Sequence, residues 1–159
     1  MSEQEASFRR FVAEQRAGSL RTALLLTGDR GSAEELVQAA LTRVWRRWRR
    51  ARTEPLGALR RELVRGVTGW RARLLRGDQV IEELSDPFAP PSSRPAPALP
   101  RALRELPPRT RAATVLRWYA ECSEEETARA LGCPVGTARA EAARGREILL
   151  AVLPGGGGR

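Results

Sequence analysis

Six of the 15 residues from Asp86 to Pro100 are proline. Proline has no amide hydrogen and a fixed φ, so this stretch cannot continue as helix or sit inside a sheet. It has no amphipathic period and little charge. It reads as an extended, semi-rigid linker. The chain of 159 residues is thereby divided into a first unit, 1–85, a linker, 86–100, and a second unit, 101–153. PGGGGR, after Leu153, reads as a disordered tail over 154–159.

Outside the linker the hydrophobic period is helical. A first helix is expected over Glu3 to Thr27, with Phe8, Phe11, Val12, Leu20, Ala23, Leu24 and Leu26 on its apolar side and Gly18 as a point of kinking or splitting. Ser32 followed by Glu35 has capping-box spacing. The helix it would open carries Leu36, Val37, Ala40, Leu41, Val44, Trp45 and Trp48 as one wide apolar stripe. A third helix is expected from Ala58 to Leu75, with Leu59, Leu63, Val67, Trp70 and Leu74 at three-to-four spacing. The fold class predicted is all-α: two small helical domains joined by a Pro-rich linker.

The second unit reads as short helices over Leu99–Leu106, Arg109–Glu121, Ser123–Leu131 and Pro134–Val152. Ser123 and Glu126 form a capping box, Gly132 follows the helix they start, and Pro134 opens the next. Helix, short Gly-containing turn, helix is the arithmetic of a helix-turn-helix, with Ala128 and Val135 as packing contacts. A plain helical hairpin has similar spacing. In the DNA-binding version the last helix lies in the major groove and presents its N-terminal side chains to base edges.

Charge points to nucleic acid. The net charge is +9, and all 28 basic residues are arginine. Between Arg43 and Arg76 there are 12 arginines against Glu54 and Glu62, interleaved with Trp45, Trp48 and Trp70. Guanidinium groups neutralise phosphates and flat rings stack on unpaired bases. A solvated basic helix face with inward tryptophans is the plainer alternative. The chain has no histidine and no lysine. That removes the commonest general base and metal ligand, Schiff-base chemistry and the P-loop lysine. Cys122 and Cys133, without histidine, suit core or cap positions better than a metal site. Glu124, Glu125 and Glu126 fit the first turn of a helix, where the dipole favours acids. No apolar run approaches the roughly 20 residues of a membrane span. The opening MSEQEASF has no basic or apolar leader, so a cytoplasmic protein is expected. The expectation is of a non-enzymatic protein with no cofactor, no metal and no membrane association.

Three blocks in order resemble the extracytoplasmic-function group of bacterial RNA polymerase sigma factors, and most closely the short, SigE-like subfamily of GC-rich actinobacteria. They are LRTALLLTGDRGSAEELVQAALTRVWRRW, LRRELVRGVTGWRAR and ALRELPPRTRAATVLRWYAECSEEETARALGCPVGTAR. The resemblance covers both units and their order. It implies two helical domains with a flexible linker, and a chain that binds core RNA polymerase and promoter DNA. It also implies an anti-sigma protein as a possible further partner.

The resemblance also implies roles. Glu34, Glu35, Leu36, Val37 and Gln38 occupy the segment that docks on an arginine-bearing coiled coil of core polymerase. Two carboxylates beside an apolar ridge suit such a partner, although capping and the helix dipole are competing uses for them. Arg60, Arg61, Arg65, Trp70, Arg71 and Arg73 would meet the minus-ten element, with core burial as the competing place for Trp70. Thr137, Arg139, Glu141 and Arg144 would read the minus-thirty-five element. Here the chain departs from the family. GTARAEAARGR stands where most members have a GTVKS run, and Ala138, Ala140, Ala142 and Ala143 offer no side-chain hydrogen bonds. Glu141 would be repelled by phosphate unless it accepts from a cytosine N4. An ordinary helix-turn-helix regulator and a sigma-like interaction protein without promoter reading are the competing readings.

Overall fold

The computed structural model describes residues 1–69 and 98–154. Among these the secondary structure is helical. The order is α1 (Glu3–Thr27), α2 (Arg30–Arg46), the single turn α3 (Trp48–Ala51), α4 (Pro55–Thr68), α5 (Ala98–Glu105), α6 (Pro108–Thr114), a π-helical turn (Val115–Tyr119), α7 (Glu124–Leu131) and α8 (Val135–Val152). The expected course of the third helix beyond Thr68, most of the linker and the tail after Pro154 lie outside the described residues.

α1 has the bounds its period predicts and runs through Gly18 without a break. Ser2 and Glu5 form a reciprocal capping box at its start, and Gly28 ends it in the left-handed region at φ 87°. A side chain is strained there, and a Cβ would also strike the Arg104 guanidinium. The next cap corrects the sequence reading. Asp29, not Ser32, is the N-cap of α2: its Oδ1 accepts from the Ser32 amide at 2.8 Å. The helix therefore opens before the expected Ser32–Glu35 box, which does not form. Aspartate and serine are near-equal caps, and the αL turn at Gly28 puts Asp29 first.

Phe11, Ala23 and Leu26 of α1 pack with Ala33, Leu36, Val37, Ala40 and Val44 of α2 and with Leu59, Leu63, Val64 and Val67 of α4. Fully burying a leucine such as Leu59 or Leu63 contributes about 2 kcal/mol. Trp48 is buried: Phe8 stands edge-on to it at 5.0 Å, and its Nε1 donates to Ser7 Oγ at 2.9 Å. Trp45 lies against Phe8 at 5.0 Å and stays 38% exposed. The tryptophans of α2 and α3 thus pin the N-terminal half of α1.

The second half joins the same apolar cluster through Leu103, Leu106, Ala112, Val115, Leu116, Cys122, Ala130 and Leu149. Arg111 is the polar element of this junction. It is 9% exposed. Its Nε donates to the Leu103 carbonyl, its Nη2 to those of Arg104 and Leu106, and its Nη1 to that of Leu26, at 2.8–3.0 Å. One guanidinium thereby satisfies C-terminal carbonyls of both α5 and α1. Arg60 of α4 pairs with Glu126 of α7 at 3.0 Å, and Arg129 with Glu54 at 3.6 Å.

α7 is closed by the predicted caps. Ser123 Oγ accepts from the Glu126 amide, Glu126 Oε1 accepts from the Ser123 amide, and Gly132 is left-handed at φ 67°. Pro134 precedes α8, as expected. The helix expected over Arg109–Glu121 is interrupted. α6 gives way after Thr114 to a π turn in which the Ala120 amide donates to the Val115 carbonyl at 2.9 Å.

α8 crosses α6 at Gly145. A Cβ there would run into Thr114 Oγ1 and lie 3.3 Å from Thr110 Cγ2. Gly145→Ala is expected to destabilise the protein by about 1–3 kcal/mol through overpacking. Gly136→Ala, where a Cβ meets nothing within 4 Å, should be neutral or stabilising by about 0.5–1 kcal/mol. Chemical denaturation of both variants decides; equal midpoints would refute the close-approach account. Arg111→Met is expected to cost on the order of 3 kcal/mol, because it strands buried carbonyls, and a wild-type denaturation midpoint would contradict that.

Candidate polymerase and promoter interface

Glu34, Glu35 and Gln38 project from α2 into solvent, while Leu36 and Val37 are turned into the core. The sequence-predicted docking segment therefore splits into an exposed polar edge and a buried apolar support. Asp29 carries out the capping, which leaves both carboxylates for other contacts. Glu34 Oε1 accepts from Arg30 Nε at 3.0 Å in an exposed pair. Beside this edge an open groove of about 720 Å³ runs between α1 and α2, with Val12, Leu20, Val37 and Leu41 in its lining. The groove has an apolar floor and a rim of mixed charge, with Arg16 and Arg30 beside Glu34; the exposed carboxylates of Glu34 and Glu35 next to it suit a partner helix carrying arginine.

The α4 arginines take different directions. Arg61 and Arg65 are exposed. Arg65 lies 3.4 Å from Glu62, which is itself buried and also faces Arg43 at 3.9 Å. Arg60 is turned toward α7, and its side chain is only 19% exposed in its pair with Glu126. Trp70, Arg71 and Arg73 lie outside the described residues.

On α8 the sequence-predicted positions also separate. Thr137 is half-buried near the start of the helix, and Arg144 is exposed. Arg139 reaches across the turn to Glu124. Its Nε and Nη2 both donate to Glu124 Oε2, at 2.9 and 2.7 Å. This pairing holds the Glu124 carboxyl below its ordinary range and raises the Arg139 guanidinium above its own. Glu141 is turned the other way and accepts from Thr110 Oγ1 at 2.6 Å. The reason is rotational: position 141 falls on the flank of α8 that meets α6. In this arrangement its carboxylate ties the two helices together rather than projecting to a base edge.

One surface was not read from the sequence. Trp118 is 40% exposed and lies between Arg117, 4.7 Å from the ring centre, and Arg146, at 5.0 Å; its Nε1 donates to the Ala142 carbonyl at 3.1 Å. The π turn carries it there, because an extra residue in the turn shifts the following side chains around the helix. The Arg-Trp-Tyr run of residues 117–119 is the only trace of it in the sequence.

Comparison with known proteins gives the family of the chain. The profile described as Sigma-70, region 4 matches residues 97–149. The RNA polymerase sigma-E factor of Streptomyces coelicolor is 33% identical over 153 residues, covering 91% of this chain and 86% of that protein. The chain belongs to the RNA polymerase sigma factors. The sigma-E factors of Streptomyces avermitilis and Streptomyces antibioticus are each 34% identical over 138 residues, covering 83% of this chain and 76% of theirs. Among solved structures, the sigma factor RpoE of Bartonella quintana, in complex with the anti-sigma factor NepR, superposes with a TM-score of 0.63. It is 19% identical, with 91% of this chain and 95% of that one covered, and shares the all-α fold. The chain is thus a SigE-like sigma factor of the extracytoplasmic-function group, which binds core RNA polymerase and directs promoter recognition. An ordinary helix-turn-helix regulator would not share the first half, and the reading without promoter recognition gains nothing from these matches. Among the described residues no helix is long and apolar enough to cross a membrane.

The Glu126 carboxyl lies below its ordinary value of 4.5 chiefly because it accepts the Ser123 amide, with Arg60 adding to the effect. A lowered folded value means stability that is fully present above pH 4.5 and lost as pH falls through the folded value. Glu126→Gln keeps a capping oxygen and removes the charge. Its deficit at pH 7, no more than about 1 kcal/mol for a partly exposed pair, should vanish below the carboxylate range. Melting curves at neutral and acid pH check this, and a deficit that persists in acid contradicts it.

Proposed function

We propose that this sigma factor divides its work between its two halves. Residues 1–85 bind core polymerase and the minus-ten element, 86–100 form the linker, and 101–153 read the minus-thirty-five element. Glu34, Glu35 and Gln38 are the docking contacts, with Leu36 and Val37 shaping the ridge beneath them. Arg61 and Arg65 hold promoter phosphates on α4, and Trp70, Arg71 and Arg73, which follow in the sequence, are the further minus-ten contacts. Arg60 joins them when its pair with Glu126 is exchanged for DNA. Thr137, Arg139 and Arg144 are the contacts of α8. Glu141 acts through α6, as a brace for the reading helix. The protein works in the cytoplasm by binding alone, without catalysis or cofactor. RpoE was solved with an anti-sigma factor, which supports an anti-sigma protein as a further partner.

The observation that carries the docking assignment is the exposed Glu34–Glu35–Gln38 edge, relieved of capping by Asp29. Reversing Glu34 and Glu35 together to arginine is expected to abolish co-purification with core polymerase while circular dichroism stays helical. Retained binding by a folded variant would remove the assignment.

A further inference from the structure

We propose that Glu124 is a positioning residue for promoter reading, holding Arg139 so that its outer guanidinium edge recognises one guanine. The inference rests on the assignment of α8 as the reading helix and adds a base preference to it.

The geometry is specific about which donors are used. Nε and the adjacent N–H of Nη2 form one side of the planar guanidinium, and both go to a single oxygen of Glu124. The remaining N–H groups, on Nη1 and the far side of Nη2, point away from the carboxylate. They form the end-on pair that matches O6 and N7 of guanine in the major groove. The Arg139 side chain is 62% exposed.

The brace is itself fixed. Glu124 is the first residue of α7 and is only 30% exposed. Its backbone is set by the Ser123–Glu126 box and by Thr127 Oγ1 donating to the Ser123 carbonyl at 2.8 Å. A free arginine must lose much rotamer freedom to make a two-point contact. Here that ordering is in place before DNA arrives.

The pairing also distinguishes base reading from phosphate binding. A guanidinium already neutralised by a carboxylate, with Glu125 beside it, gains little from a polyanion and releases few counterions. What it keeps is a fixed donor pair, whose value depends on geometry. Close to it on the helix surface, Ala140 and Ala143 are exposed but carry no side-chain donor, and Glu141 is engaged with Thr110, so that Thr137 and Arg144 are the other polar contacts of α8.

The test is selection by reconstituted holoenzyme from promoters randomised across the minus-thirty-five element. Wild type is expected to favour G·C at one position by about tenfold or more. Arg139→Ala and Arg139→Lys should both lose that preference, since lysine keeps the charge without the fork. Glu124→Ala should lose most of it while binding of non-specific duplex is undiminished, and Glu124→Gln, which retains an acceptor oxygen, should restore part. Melting temperature controls for folding. If Glu124→Ala strengthens binding to all sequences equally, Glu124 is only a competitor for Arg139 and the inference fails. It fails equally if the G·C preference survives in a folded Glu124→Ala protein. If Arg139→Ala itself leaves selection untouched, the fault lies one level deeper, in the assignment of Arg139 to promoter reading, and the inference falls with it.

Discussion

Arg111 connects the two halves of the described structure. Its guanidinium is buried among the carbonyls that end α5 and α1, groups that would otherwise be stranded away from water. Holding Leu26 on one side and Leu103, Arg104 and Leu106 on the other sets how the second half sits against the first. The apolar cluster then continues from Leu26 and Leu63 to Leu103 and Leu116. In a chain whose cationic residues are all arginine, this one serves packing rather than nucleic acid. Neither its charge nor its place in the Arg-rich sequence separates it from its neighbours.

What the sequence made legible was local. The bounds of α1, the Ser123–Glu126 box, Gly132 and Pro134 all follow from capping and glycine chemistry within a few residues. The start of α2 was misread because Asp29 and Ser32 are both good caps, and the choice depends on the left-handed turn at Gly28 just before. The π turn after Thr114 has no local signature, so a continuous helix was expected and Trp118 escaped notice. The same limit applies to the site. Exposure of Glu34, Glu35 and Gln38 could be read from periodicity, since they lie off the apolar stripe. The turning of Arg60 to Glu126 and of Glu141 to Thr110 depends on helices distant in sequence.

The charged residues fall into physically different groups despite similar composition. Arg61 and Arg144 face water and are available to phosphates. Arg60, Arg65 and Arg129 are partnered by Glu126, Glu62 and Glu54, respectively. The count of 28 arginines therefore overstates the free cationic surface of this conformation. It also means that contacts with a promoter involve exchange of partners, with surface pairs worth at most about 1 kcal/mol to break.

The cap at Asp29 has a consequence for how such a surface can change over time. A carboxylate that both starts a helix and binds a partner is constrained twice, because any substitution that retunes binding also frays the helix. In α2 the two duties fall on different residues: Asp29 secures the backbone, and Glu34 and Glu35 stand exposed, Glu34 in a surface pair with Arg30. The docking edge is therefore free to drift toward a different partner while the helix beneath it keeps its start, its stripe and its place in the core.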